Sequence, residues 1–289
     1  MRYSEHPPAL GLRRFVECIW MLEDDQPNPG RPVERILPDG CMELIVQWRS
    51  SFLRRPPGLP AERQPGSFLV GGLTSFFDVE PPERIGTLGI RFRPAGACAF
   101  FRVPMDALTD QVVPLDALCG NDAELFRERV AEARTNRERV RVAETFLRQL
   151  QAATGGRGPD ARIECVVREI LRTRGRTTVL ALSDAAGISG RQLERRFLAC
   201  AGLGPKVLCR LLRFQSVFRE IGPERAPNWA GIAAESGYFD QAHLIADFKR
   251  FAGETPSSLV AGKGLLTSYF TSPERLKALF DPAEWEAIG

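Results

Sequence analysis

The sequence predicts an α+β protein with a β-rich N-terminal half, helices following it, and an all-helical C-terminal half. Three observations carry this. The first part of the chain is built from short apolar runs separated by Pro and Gly. Helical spacing takes over near residue 122. The stretch Ala153-Thr-Gly-Gly-Arg-Gly-Pro159, with three glycines and a proline in seven residues, sustains neither helix nor strand and divides the two regimes. A chain of 289 residues has room for two domains. The expected bounds are 1–153, a linker at 154–160, 161–263, and an extension at 264–289.

Phe15-Val-Glu-Cys-Ile-Trp-Met-Leu22 is apolar and β-prone, and Met42-Glu-Leu-Ile-Val-Gln-Trp48 reads as a buried strand. The region 49–66 is basic and Pro-rich, and is expected to be a mobile loop. Phe68-Leu-Val70 and Phe76-Phe-Asp-Val79 are short strands. Leu88-Gly-Ile-Arg-Phe-Arg-Pro94 alternates Ile90 and Phe92 against Arg91 and Arg93, which puts two guanidiniums on one face. Such strands suit an antiparallel sandwich or barrel. A helix covers about 122–133. A second starts at Thr135 or Asn136 and carries Val140, Ala143, Phe146, Leu147 and Leu150 on one stripe, which either packs on the sheet or forms a dimer seam.

Composition excludes several classes. Apolar residues are 44% and charged residues 26%, which excludes global disorder and fibrous repeats. No apolar run reaches a membrane span, and the N-terminus lacks a signal-peptide core, so a cytoplasmic protein without membrane contact is expected. The seven cysteines show no C-x-x-C pair and read as reduced, buried hydrophobes. His6, near an expected disordered end, and His243 are the only histidines, too few for a zinc site or a His-based triad. No nucleophile elbow, phosphate loop or dinucleotide fingerprint occurs, so no catalytic centre, metal or cofactor is expected. Basic charge concentrates in 157–263, where 17 Lys/Arg face 11 Asp/Glu, a balance that favours a polyanion partner.

Two segments in that region echo each other. Leu182-Ser-Asp-Ala-Ala-Gly-Ile-Ser-Gly-Arg-Gln-Leu-Glu-Arg-Arg-Phe197 aligns with Ile232-Ala-Ala-Glu-Ser-Gly-Tyr-Phe-Asp-Gln-Ala-His-Leu-Ile-Ala-Asp-Phe248. Each offers a short helix with small residues, a Gly for the turn, a polar N-cap (Ser189 or Asp240), and an amphipathic helix buried through Leu193/Phe197 or Leu244/Phe248. That is the pattern of a helix-turn-helix whose second helix enters a major groove. The amphipathic stretch 206–221 joins the two copies.

Together with Gly202-Leu-Gly-Pro205 and Phe248-Lys-Arg-Phe251, these segments resemble the AraC/XylS family of bacterial transcription regulators over about 100 residues. Arg35-Ile-Leu-Pro-Asp-Gly-Cys-Met-Glu-Leu44, Val70-Gly-Gly72 and Gly89-Ile-Arg-Phe-Arg-Pro94 resemble the sensor half of one subgroup. The resemblance implies a cupin-like β-barrel that binds a small effector, dimerises, or both. Its implied partner is double-stranded DNA, with RNA polymerase added if the regulator activates.

The family's base-facing positions fall on Arg191, Glu194 and Arg195, with Gln192 adjacent, and on Gln241, Ala242 and His243. Arg suits guanine, Gln adenine, Glu the cytosine amine, and Ala242 or Ile245 a thymine methyl. Arg196 flanks the first reader. Thr178 and Asn228 at helix N-termini, with Lys206, Arg210 and Lys249, are the phosphate candidates. Many relatives carry Arg late in the second reader; here Ala246 and Asp247 stand there, and Asp247 would repel phosphate if it faced DNA. Trp229 reads as core.

Arg35, Asp39, Glu43, Arg91 and Arg93 lie among apolar strands. They either line an effector site for an anionic or polar ligand or pair with one another. Two other classes stay open: a protein-interaction module with weak DNA binding, and a DNA-modifying enzyme fused to an AraC-like domain. The tail carries Leu265, Leu266, Tyr269, Phe270, Leu276, Leu279, Phe280 and Trp285 at helical spacing, and can fold back on either half or on a second subunit.

Overall fold

The computed structural model describes residues 1–28, 30–221, 227–262, 264–272, 275, 276 and 280. Leu279 and Trp285 of the tail, and the side chains of Leu265, Tyr269 and Phe270, lie outside the described residues.

The N-terminal half holds ten strands: β1 Arg2–His6, β2 Val16–Asp24, β3 Glu34–Ile36, β4 Glu43–Gln47, β5 Leu53–Arg55, β6 Glu62–Arg63, β7 Ser67–Val70, β8 Phe77–Glu80, β9 Ile85–Phe92 and β10 Val112–Pro114. They form two antiparallel sheets, ordered β1-β2-β9-β4-β7-β10 and β3-β8-β5-β6. The sheets do not close into a barrel. The region 49–66 is not a bare loop but contributes the β5–β6 hairpin to the small sheet. His6 sits at the end of β1, paired with Ile19, rather than in a disordered end.

The large sheet is buried on both faces, and strand alternation decides what each face carries. Ile19, Met21, Leu44, Val46, Leu88, Ile90 and Phe92 point to the helices α2 (Asp122–Glu132) and α3 (Asn136–Ala153). The stripe Ala143, Phe146, Leu147 and Leu150 of α3 is spent on this core, so it packs on the sheet and leaves no dimer seam there. A four-residue helix, α1 (Asp116–Cys119), precedes α2. Trp20, Leu22, Ile45, Phe68, Val70 and Ile85 point the other way, towards Phe77 and Val79 of the small sheet. Gly89 allows this packing: a Cβ there would lie 2.0 Å from the Trp20 indole, which therefore lies flat across β9.

The C-terminal half is helical: α4 Ala161–Arg172, α5 Val179–Ala186, α6 Gly190–Ala201, α7 Pro205–Glu220, α8 Trp229–Glu235, α9 Gln241–Ala252, α10 Pro256–Ala261 and α11 Leu265–Phe270. Leu193, Phe197, Phe214, Leu244, Phe248 and Phe251 are all fully buried in its core. Phe214 of α7 stacks edge-on to Phe248 with centroids 4.8 Å apart, so α7 is the strut between the two repeats. Trp229 is half-buried against the same core. Leu37, Cys41 and Ala95 of the N-terminal half also belong to it, so the halves share an apolar contact. Of the cysteines, Cys18, Cys41 and Cys209 are buried and the other four are half-buried thiols. No described helix is long and apolar enough to cross a membrane.

Candidate nucleic-acid interface and effector pocket

Both repeats fold as helix–turn–helix units, and local chemistry explains each turn. Thr178 caps α5 by accepting from the Ala181 amide at 3.1 Å, and Asn228 caps α8 by accepting from Gly231 at 3.2 Å. Gly187 and Gly237, at φ +61° and +78°, take the left-handed conformation that turns the chain after each first helix. Ser189 then caps α6 and Asp240 caps α9, the latter accepting from the His243 amide at 2.7 Å.

The outward faces differ. On α6, Arg191, Gln192, Glu194 and Arg195 are exposed. The Gln192 carbonyl oxygen also accepts from the Ser189 amide at 3.2 Å, closing a capping box. The Glu194 carboxylate lies against Gly204, the N-cap of α7. Arg196 is half-buried, 3.5 Å from Asp160. On α9, Gln241, Ala242, His243 and Ala246 are exposed, with the His243 ring edge-on to Tyr238 at 5.2 Å.

Asp247 does not face solvent. It is 0% exposed and receives the Arg210 guanidinium at 2.5 Å. Arg210, expected at phosphate, is thus turned inward and rests on the Phe251 ring. Lys206 and Lys249 are exposed.

Both recognition helices end against the N-terminal half. The Thr109 hydroxyl donates to the carbonyl of Gly202, the C-cap of α6, and Met42 packs on the same glycine. Arg35 donates to the Ala252 carbonyl at the end of α9 at 2.8 Å, pairs with Glu254 at 3.0 Å and with Asp78 at 2.8 Å, and lies over Phe76. Gln215 of α7 donates to the Pro38 carbonyl at 2.8 Å.

Between the two sheets lies a cavity of about 90 Å³. Asp39, Glu43 and Arg91 line it; Arg35 and Arg93 do not, and Arg93 donates to the Arg13 carbonyl at 2.8 Å. Arg91 is 2% exposed and bonds both Asp39 and Glu43, the latter at 2.5 Å. Arg275, from the tail, reaches Glu17 at 3.1 Å and Asp39 at 2.9 Å. Burial would raise the Asp39 carboxyl, but the Arg91 and Arg275 guanidiniums outweigh it and hold it below its usual range. Burial pushes Glu43 up despite Arg91. The polar strand residues therefore pair with one another. Arg275 and Thr87, both at this site, carry no sequence signal beyond a polar position on an apolar strand or in an extension.

Family models match two parts of the chain. Residues 4–114 match a domain of unknown function (DUF6597) and residues 182–261 a helix-turn-helix domain. No curated protein matches significantly. Structures of ToxT from Vibrio cholerae are similar: one at 1.65 Å resolution has 12% identity over 90% of this chain and 98% of its own, with TM-score 0.45. Another, bound to (E)-4-(8-methylnaphthalen-1-yl)but-3-enoic acid, has 12% identity over 90% and 99%, with TM-score 0.44. A third, bound to an unsaturated fatty acid, has 13% identity over 83% and 94%, with TM-score 0.41. The chain carries a helix-turn-helix domain over residues 182–261, behind an N-terminal β-rich domain.

Proposed function

We propose that the protein binds a specific duplex site by laying α6 and α9 in successive major grooves, and that a small effector in the N-terminal cavity tunes this binding. The observation that carries the DNA reading is the pair of capped, amphipathic helices, each buried through a Leu/Phe pair with its opposite face in solvent. The strut α7, of 16 residues, is about 24 Å long, a span suited to holding two readers roughly one DNA turn apart. Arg191 and Arg195 lead base readout from α6, with Gln192 and Glu194 beside them. Gln241, Ala242 and His243 serve α9. Thr178, Arg196, Lys206, Asn228 and Lys249 contact phosphate. Arg210 is left out because its guanidinium is committed to Asp247.

Effector control rests on the grip of the N-terminal half on the C-terminal ends of both readers. A ligand that favours one packing of the halves shifts DNA affinity by its differential affinity for the two states. The test is selection of random duplex DNA on the full-length protein. Enrichment of two short elements about ten base pairs apart supports the reading. Absence of any enriched motif, with and without candidate effectors, sinks it.

A further inference from the structure

The cavity's chemistry narrows its ligand. Its walls are apolar, built chiefly from Trp20, Phe52, Phe68, Phe77 and Leu266. One wall residue, Thr87 on β9, is 3% exposed, and its hydroxyl has no hydrogen-bond partner among the described residues. A hydroxyl buried without a partner is destabilising, a loss that a ligand atom can recover. The other polar side chains of the wall are engaged: Gln47 donates to Gln64 at 2.7 Å and accepts from the Phe52 amide at 3.0 Å.

The charges settle the sign. Arg91 and Arg275 serve three carboxylates, Asp39, Glu43 and Glu17. Among the described residues the cluster is therefore one negative charge in excess when all are ionised. A ligand carboxylate would add a second negative charge in an apolar pocket and would have to evict Glu43 or Asp39 from Arg91. An ammonium would lose its hydration to walls that are mostly hydrocarbon. An uncharged group meets neither cost, and the one vacant polar partner, Thr87, is itself uncharged.

We propose that this pocket takes a small, uncharged, largely apolar molecule whose single hydrogen-bonding oxygen meets the Thr87 hydroxyl, and that the chain's own residues Leu266 and Thr267 form the wall that senses it. This rests on the effector reading above. Leu266 contributes the wall, its amide donates to Glu34 at 3.0 Å, and the Thr267 hydroxyl donates to the Arg35 carbonyl at 2.6 Å. The same Arg35 holds the end of α9. An occupant that pushes on Leu266 thus pushes on a segment continuous with α10 and bonded to the residue that grips a recognition helix.

The experiment compares three probes on one skeleton with full-length protein by ligand-detected NMR: 2-phenylethanol, phenylacetate and 2-phenylethylammonium. The alcohol is expected to bind most tightly. Thr87→Val, which keeps the shape and removes the hydroxyl, is expected to weaken it by about two- to tenfold, while the melting temperature of the unliganded protein rises because the unpartnered hydroxyl is gone. Leu266→Trp, which fills the cavity from the tail side, abolishes binding. Tighter binding of the acid or the amine, binding of none of the three, or an alcohol affinity indifferent to Thr87→Val overturns the ligand class. DNA affinity is measured separately. An alcohol that binds through Thr87 but leaves DNA affinity unchanged refutes the regulatory reading and leaves the ligand assignment standing.

Discussion

The two recognition helices share a frame and differ in what they do with it. Ser189 matches Asp240, Leu193 matches Leu244, and Phe197 matches Phe248. Between those fixed points, Arg191, Gln192, Glu194, Arg195 and Arg196 of α6 stand opposite Ala242, His243, Ile245, Ala246 and Asp247 of α9. The sharpest contrast is at the last position. Arg196 is half-exposed beside Asp160, whereas Asp247 is fully buried on Arg210. The same helical position is thus a surface contact in one repeat and a core tie in the other. Burying it removes a negative charge from the solvent-facing side of α9, where Ala246 stands in place of the cationic Arg195. On the proposed reading, the first repeat discriminates and the second is held.

The largest expected effect breaks the tie itself. Asp247→Ala leaves the Arg210 guanidinium partly buried without its carboxylate and should lower folding stability by about 3–5 kcal/mol, read by urea unfolding. Arg196→Ala, its counterpart, should change stability by less than about 1 kcal/mol. Equal losses would dissolve the contrast.

Next come the readers. Arg195→Ala should cost about 1–3 kcal/mol of binding free energy and relax preference at one base pair, measured by titration against single-base variants of the selected site. His243→Ala should cost less. The converse change, Ala246→Arg, should tighten binding and steepen its salt dependence. If His243→Ala is the more damaging, the ranking of the helices is reversed.

The caps should be equal where the faces are not. Ser189→Ala and Asp240→Ala each remove one side-chain acceptor from a helix N-terminus and should each cost about 1 kcal/mol of stability. The pocket acids should differ in sign instead. Asp39, held below the ordinary carboxylate range, contributes stability that is present above about pH 4 and lost as pH falls through its folded value. Glu43, pushed above it by burial, contributes stability at low pH that is lost as pH rises from its ordinary value through the raised one. Glu43→Gln should remove that second decline from the urea midpoint measured against pH, and leave the acid limb due to Asp39.

Much of this was legible in the sequence, for physical reasons that vary by element. The C-terminal repeats announce themselves through side-chain spacing, capping residues and left-handed glycines, all of them local. So did α2, α3 and the long central strands. β1, β3, β5, β6 and β10 were not read, since three are only three residues long, β6 is two, and polar edge strands take their conformation from partners distant in sequence. The face alternation of Arg91 against Ile90 and Phe92 was visible, but burial of both faces was not, because it depends on helices arriving from residues 122–153. Asp247 was singled out as a misfit on a DNA-facing helix. That it points inward follows from Arg210 on α7, which is remote in sequence and meets it only in the fold. Arg275 pairing with Asp39 from the tail had no local signal.

The smallest expected effect tests the division of labour most finely. Lys249 lies on the exposed side of α9, near its C-terminal end, and its ammonium has no ion pair among the described residues. A lysine there meets phosphate as a point charge and carries no base information. Lys249→Ala should therefore weaken binding to selected and unrelated duplexes by the same small factor and lower the slope of log affinity against log salt by about one. A change that spares unrelated DNA but weakens the selected site would mean that α9 reads sequence through this end after all. The exposed Ala246 beside it would then mark a groove edge, and the second repeat would be a reader in its own right.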